Sequence, residues 1–214
     1  MNPKSIVPHL SAVSRERREA ANRHKAAVVW FTGLPSSGKS TTAHAVEEQL
    51  FRAGCQVYVL DGDNVRHGLS SDLGFGAADR REHLRRMAEL ARLMYEAGTI
   101  VLCAFISPTR ASRRAARALF RDGAFFEVYT ACPLKVCERR DPKGHYAKAK
   151  AGKIPEYTGV TAPYEAPLHP ELVLKTDSRP VQACAASVIR LLRERRIISR
   201  TRGAHASSRN RVRA

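Results

Sequence analysis

No stretch of this chain is long and apolar enough to cross a bilayer, and the first residues hold no apolar segment of the kind that directs export. The expected location is therefore the cytoplasm, with no membrane partner. Cysteine is scarce: Cys55, Cys103, Cys132, Cys137 and Cys184 are odd in number, form no C-x-x-C pair, and fall on predicted strands and helices. That pattern excludes a disulfide framework and a thiolate metal site, and leaves reduced, small apolar residues. Internal repeats are absent. Acids are in short supply, 20 Asp and Glu against 37 Lys and Arg, for a net charge of +17.

Where that charge sits decides its meaning. Residues 1–25 carry six Lys/Arg against two acids and residues 193–214 eight Arg against one, which places +4 and +7 in the tails and leaves about +6 between them. A moderately basic centre suits an enzyme that handles polyanionic nucleotides. The C-terminal tail, 199–214, reads as a basic, disordered and solvated segment, with nucleic acid contact only non-specific through the tails. Residues 1–25 read as a basic leader, helical over Ser14 to Lys25, that packs on the domain or on a second subunit. The 214 residues need only one domain, expected over 26–198.

The organising stretch of that domain is Val28-Val29-Trp30-Phe31-Thr32-Gly33-Leu34-Pro35-Ser36-Ser37-Gly38-Lys39-Ser40-Thr41. An apolar strand runs into a turn that fits G-x-x-x-x-G-K-[ST] and then into a helix with Ala43, Val46 and Leu50 on one side. Backbone N–H groups of such a turn cradle phosphates, Lys39 reaches the β- and γ-phosphates, and the Ser40 hydroxyl ligates Mg²⁺. Only glycine lets backbone approach a phosphate so closely, and the helix N-terminus beyond favours negative charge. The motif predicts a nucleoside triphosphate site.

Strands alternate with helices along the rest of the domain. Strands are predicted at about 27–32, 56–60, 99–105, 125–130 and 172–174, with helices at about 39–53, 79–97, 109–121, after Pro133, and at about 180–196. The strand Thr99 to Phe105 is apolar throughout and so expected to be central. The pattern implies α/β architecture: a P-loop NTPase-type three-layer α/β/α sandwich with a five-stranded parallel sheet. Residues 141–169 are rich in Lys, Gly, Pro and Tyr, too polar for core and too long for a plain connector, and are expected to form a lid.

A phosphate loop alone does not separate kinases from switches or motors. The chain is short, the third strand ends without a carboxylate, and the lid is basic, which points to a small-molecule kinase that keeps water from the transferring phosphoryl group. The acids must then come from Leu60-Asp61-Gly62-Asp63, at the C-terminal end of a strand, where parallel sheets place ligands. Asp63 is expected to accept or orient the acceptor's hydroxyl proton. Asp61 supports Mg²⁺ through water or Lys39. Lys39, Arg139, Arg140 and Lys143 neutralise developing phosphate charge.

At these residues the sequence resembles the adenylylsulfate kinases, which move the γ-phosphate of ATP to the 3′-hydroxyl of adenosine 5′-phosphosulfate. The resemblance is carried by Gly33 to Thr41, Leu60-Asp61-Gly62-Asp63-Asn64-Val65-Arg66-His67-Gly68-Leu69, Leu73-Gly74-Phe75, Phe105-Ile106-Ser107-Pro108, Cys132 to Gly144 with its Asp141-Pro142-Lys143-Gly144, Tyr157-Thr158-Gly159 and Pro163-Tyr164-Glu165-Ala166-Pro167. It covers about residues 26–195. It implies ATP binding by Gly33, Leu34, Pro35, Ser36, Ser37, Gly38, Lys39, Ser40 and Thr41 with Arg139 and Arg140. It also implies substrate contacts from Asp63, Arg66, Phe75, Arg80, Ile106, Lys143 and Tyr157, with Phe75 stacked on the adenine. Ser107 matches a serine described in the family as active-site, sometimes as a phosphorylated intermediate. With no base at a fixed position to activate it, contact with substrate or phosphate is the expectation. A homodimer and an ATP sulfurylase partner are further implications.

Three positions depart from the family pattern. His83 stands where Arg-x-x-Asn is usual, His145 where leucine is usual, and Tyr157 replaces phenylalanine. A neutral imidazole can donate or accept but not both at one edge, so weakened or pH-sensitive affinity for the sulfated nucleotide is expected at His83. Two alternatives stay open at this point: a P-loop kinase for another nucleotide or small alcohol, and a nucleotide-dependent RNA-binding or interaction module.

Overall fold

The computed structural model describes residue 9 and residues 11–199. The elements are α1 (Arg15–Asn22), β1 (Ala27–Thr32), α2 (Lys39–Arg52), β2 (Val57–Asp61), α3 (Gly62–Arg66), α4 (Ala77–Glu96), β3 (Ile100–Ala104), α5 (Arg110–Arg117), β4 (Phe125–Ala131), α6 (Leu134–Arg140), α7 (His145–Lys150), β5 (Leu172–Lys175) and α8 (Val181–Glu194). The disordered tail expected over 199–214 lies, after Ser199, outside the described residues.

All five strands are parallel, in the order β2-β3-β1-β4-β5. Every residue of β1 and of β3 is buried, because helices cover both faces of the sheet and each side chain meets one of them. Ala27, Val29 and Phe31 join Ile100 and Leu102 in the core under α2 and α8. Val28 and Trp30 join Val101 and Cys103 in the core under α4. The expected three-layer α/β/α sandwich is observed; the third strand is buried and interior as expected, lying between β2 and β1, while β1 itself holds the middle of the sheet. No helix among the described residues is long and apolar enough to cross a membrane.

The leader helix packs on its own domain. Ser14 caps α1 by accepting from the Arg17 N–H. The buried Arg15 donates to the Tyr95 hydroxyl at 2.6 Å, with its guanidinium 4.6 Å from the ring centre.

Two short helices, α3 and α7, fall where none was expected, and α7 changes the reading of residues 141–169. Tyr146 and Ala149, one turn apart, are both buried, while Lys148 and Lys150 face outward. Tyr146 packs with Cys132 and Cys137 against Leu34, Val136, Tyr157 and Val160 in a third, small core. A segment expected to be too polar for core therefore supplies core residues against the phosphate loop, since one helical stripe suffices.

Candidate active site

The sheet's C-terminal edge opens into a cleft of about 950 Å³. On one side lies the phosphate loop, held from beneath by buried hydroxyls. Ser37 and Thr130 share a 2.7 Å hydrogen bond, Thr130 donates to the Thr32 carbonyl, and Thr176 donates to the Ser37 carbonyl at 2.7 Å. Gly33 sits so close to this support that an added Cβ would lie 2.3 Å from the Thr130 hydroxyl. Gly38 turns the chain into α2 with φ +90°, a conformation that costs glycine nothing. The Lys39 ammonium folds back to donate to the carbonyls of Gly33 (3.0 Å) and Leu34 (2.7 Å). Burial lowers its pKa to about 8, against the pull of Cys137, Asp61 and Asp63.

The two aspartates reach this cleft from β2, across β3. Asp61 caps α3, its Oδ1 accepting the Asp63 N–H at 3.0 Å, and its Oδ2 is buried without a hydrogen-bond partner. Asp63, one residue into the helix, is exposed and paired with the Lys143 ammonium arriving from the α6–α7 turn.

The far wall is assembled from three separate segments. Arg66 donates to the carbonyls of Leu73 and Gly74 and lies 4.5 Å over the Phe75 ring, which is 64% exposed. Arg80 on α4 donates to the Thr158 hydroxyl at 3.0 Å and to the Glu156 carbonyl, fastening the segment that carries Tyr157. Tyr157 meets Tyr146 edge-on at 5.1 Å and His145 at 6.3 Å. Burial, then the neighbouring Arg80, lowers the Arg66 pKa against the pull of Asp63 and Asp79, and burial lowers that of Arg80 against the pull of Glu156.

Residues 25–175 match the family described as adenylylsulphate kinase. The chain belongs to the adenylylsulfate kinase family. It is 56% identical over 198 residues to the adenylyl-sulfate kinase of Geotalea daltonii, and 51% identical over 197 residues to the probable adenylyl-sulfate kinase of Bacillus subtilis; each alignment spans 92% of this chain and 98% of the relative. Among solved structures it resembles the Mycobacterium tuberculosis APS kinase in complex with AMPPNP and APS, at 49% identity and a TM-score of 0.76, over 79% of this chain and 98% of that one.

Most of the expected site residues line the one cleft: Pro35, Ser36, Gly38, Lys39, Ser40 and Thr41 on one side, Asp61, Asp63, Arg66, Phe75, Arg80 and His83 on the other, with Ile106, Ser107, Arg140, Lys143 and Tyr157 between. Gly33, Leu34 and Ser37 form the underside of the loop. Arg139 does not reach the cleft: the helical step of α6 turns it outward to solvent, while Arg140 lines the cleft and donates to the Thr176 carbonyl. The Ser107 hydroxyl, expected to meet substrate or phosphate, turns inward instead. It accepts from the Trp30 indole N–H at 3.1 Å and donates to the Phe105 carbonyl, on a backbone with φ +40°. The pH sensitivity expected of His83 is also corrected. Burial, then Arg66 and Arg86, lowers its pKa to about 4, so the ring is neutral from pH 6 to 8.

Sequence reasoning missed the wall beyond the phosphate loop, where Thr176, Arg179, Val181 and Cys184 line the cleft at the β5–α8 junction. The signal was available: ligands gather outside the carboxyl ends of parallel strands, and Lys175-Thr176 is such an end.

Proposed function

We propose that this chain transfers the γ-phosphoryl group of ATP to the 3′-hydroxyl of adenosine 5′-phosphosulfate, giving ADP and 3′-phosphoadenosine 5′-phosphosulfate. The carrying observation is that one cleft holds a phosphate loop, an exposed carboxylate at Asp63, and an arginine-backed aromatic face at Phe75. The 3′-oxygen forms a bond to the γ-phosphorus as the bond to the β,γ-bridging oxygen breaks, and Asp63 takes the hydroxyl proton. Lys39, Arg140 and Lys143 oppose the charge that develops on the phosphoryl oxygens.

The donor set suits Mg²⁺, a hard cation that takes oxygen ligands. Asp61 keeps a buried oxygen without a partner, and Ser40 lines the same cleft. Ser40 would hold the ion directly and Asp61 through water; its chemistry would be to neutralise and orient phosphate oxygens.

Residues 141–169 act as the lid in this reading. Tyr146 donates to the Pro35 carbonyl of the phosphate loop at 3.0 Å, and Lys143, three residues earlier, meets Asp63. The α6–α7 turn and the start of α7 thus touch both halves of the cleft and can exclude water from the phosphoryl group. Self-association as a homodimer belongs to the same reading, and sedimentation of the purified chain checks it.

Purified protein, ATP, Mg²⁺ and adenosine 5′-phosphosulfate should yield the 3′-phosphorylated sulfated nucleotide by mass spectrometry. ADP release that is faster with another alcohol from a small acceptor panel would overturn the assignment.

A further inference from the structure

Position 83 is where this chain offers the cleft a histidine, and the structure supplies that ring with one partner. His83 is buried on α4, meets Phe105 edge-on at 5.7 Å, and lines the cleft. Its Nδ1 lies 2.9 Å from the hydroxyl of Ser70, in the turn after α3. Ser70 is fully buried, and among the described residues its hydroxyl bonds to nothing else.

A neutral imidazole carries one ring proton, so two arrangements are possible. With the proton on Nδ1, the ring would donate to Ser70, and the serine O–H, sealed from water, would have no acceptor. An unmade buried donor carries its full desolvation penalty. With the serine donating to Nδ1, both groups are satisfied and the ring proton sits on Nε2. That nitrogen is not among the sealed, unpartnered polar atoms of the interior; it is the ring nitrogen left for the cleft.

We infer that Ser70 sets the tautomer of His83, so that His83 presents Nε2–H to the cleft as a hydrogen-bond donor to an acceptor atom of the sulfated nucleotide. Ser70 is thus a positioning residue that acts through His83. The identity of the ligand rests on the function proposed above, whereas the tautomer does not. Arg66 and Arg86 face the ring and disfavour a second ring proton, so the donor is neutral. It can orient an oxygen or ring nitrogen of the substrate, and it rejects a donor placed at the same point.

Long-range ¹H–¹⁵N spectra of the ligand-free, ¹⁵N-histidine-labelled chain decide the matter, because protonated and bare ring nitrogens resonate far apart. The His83 signals are assigned by their loss in His83→Asn. Wild type should show Nε2 protonated and Nδ1 bare at pH 7. Ser70→Ala should move the ring toward a mixture of tautomers and raise KM for the sulfated nucleotide several-fold with kcat little changed, a split that marks lost binding. Ser70→Thr, which keeps the hydroxyl, should restore both. A protonated Nδ1 in wild type overturns the inference, as does a Ser70→Ala variant with unchanged tautomer and KM. Should Ser70→Ala fail to fold, the wild-type spectrum alone still decides. A chain with Nε2–H that turns over no sulfated nucleotide would support the tautomer and overturn the proposed function.

Discussion

The phosphate loop and the acceptor wall face each other across one cleft but are supported differently. Beneath the loop, Ser37, Thr130 and Thr176 are buried and hydrogen-bonded to one another's backbones or hydroxyls. Across the cleft, Phe75 stands exposed and is steadied by the guanidinium of Arg66, itself hydrogen-bonded to two loop carbonyls. The loop meets a triphosphate, which every kinase of this type shares, and its geometry is fixed by the same strands that form the core. In the proposed function the wall meets the acceptor, and it is drawn from α3, the turn after it, α4 and the segment after α7. On that proposal, gripping chemistry is tied to the strands of the core, and selecting chemistry to the helices and turns beside them.

Substitutions on the two sides should therefore fail in different ways. Asp63→Asn, on the acceptor side but at the reacting hydroxyl, should lower kcat by about 10²- to 10⁴-fold with KM for ATP unchanged, as expected for loss of a general base. A steady-state comparison with wild type checks this, and a kcat near wild type would remove Asp63 from the chemistry. Phe75→Ala should raise KM for the sulfated nucleotide by roughly 5- to 150-fold, since stacking on a base contributes about 1–3 kcal/mol. KM for ATP should not move; a parallel rise in both would erase the proposed division.

The loop side has a pH signature. Burial brings the Lys39 pKa from 10.5 to about 8, so the ammonium is charged below that pH and lost above it. The kcat/KM for ATP, which reports the free enzyme, should be level below about pH 8 and fall by up to tenfold per unit above it. The linked stability runs the other way. Between about pH 8 and 10.5 the unfolded chain holds the lysine proton longer than the folded one, so this group's contribution to stability rises with pH. A pH–rate profile for ATP that stays flat to pH 10 would contradict the buried ammonium. The smallest effect is expected at Arg139. Arg139→Ala should leave kcat and both KM values within about twofold, as an exposed surface change does, whereas Arg140→Ala should weaken ATP binding.

Much of this was legible in the chain, for physical reasons that differ by region. The glycine spacing of Gly33 to Ser40 is readable because the turn admits few residue types, and the buried third strand because both its faces must be apolar. Asp61 and Asp63 were found from their place at a strand end. The third core was not, because Tyr146 and Ala149 form a two-residue stripe within an otherwise lysine-rich segment. Arg139 and Arg140 are adjacent in sequence but separated by a helical step, which composition cannot resolve. The neutrality of His83 depends on its burial and on Arg66 and Arg86, which only the fold brings to it, and its hydrogen-bond partner Ser70 lies thirteen positions away. The inward turn of the Ser107 hydroxyl, in the loop after β3, involves Trp30 on β1. The β5–α8 wall was missed although the strand-end rule pointed to it.

A crystal structure with a non-hydrolysable ATP analogue and adenosine 5′-phosphosulfate bound tests the central claim most directly. Asp63 should leave Lys143 and stand within hydrogen-bond reach of the 3′-hydroxyl, with that oxygen about 3–3.5 Å from the γ-phosphorus and in line with the leaving oxygen. An Asp63 still paired with Lys143, with the 3′-hydroxyl directed elsewhere, would contradict it.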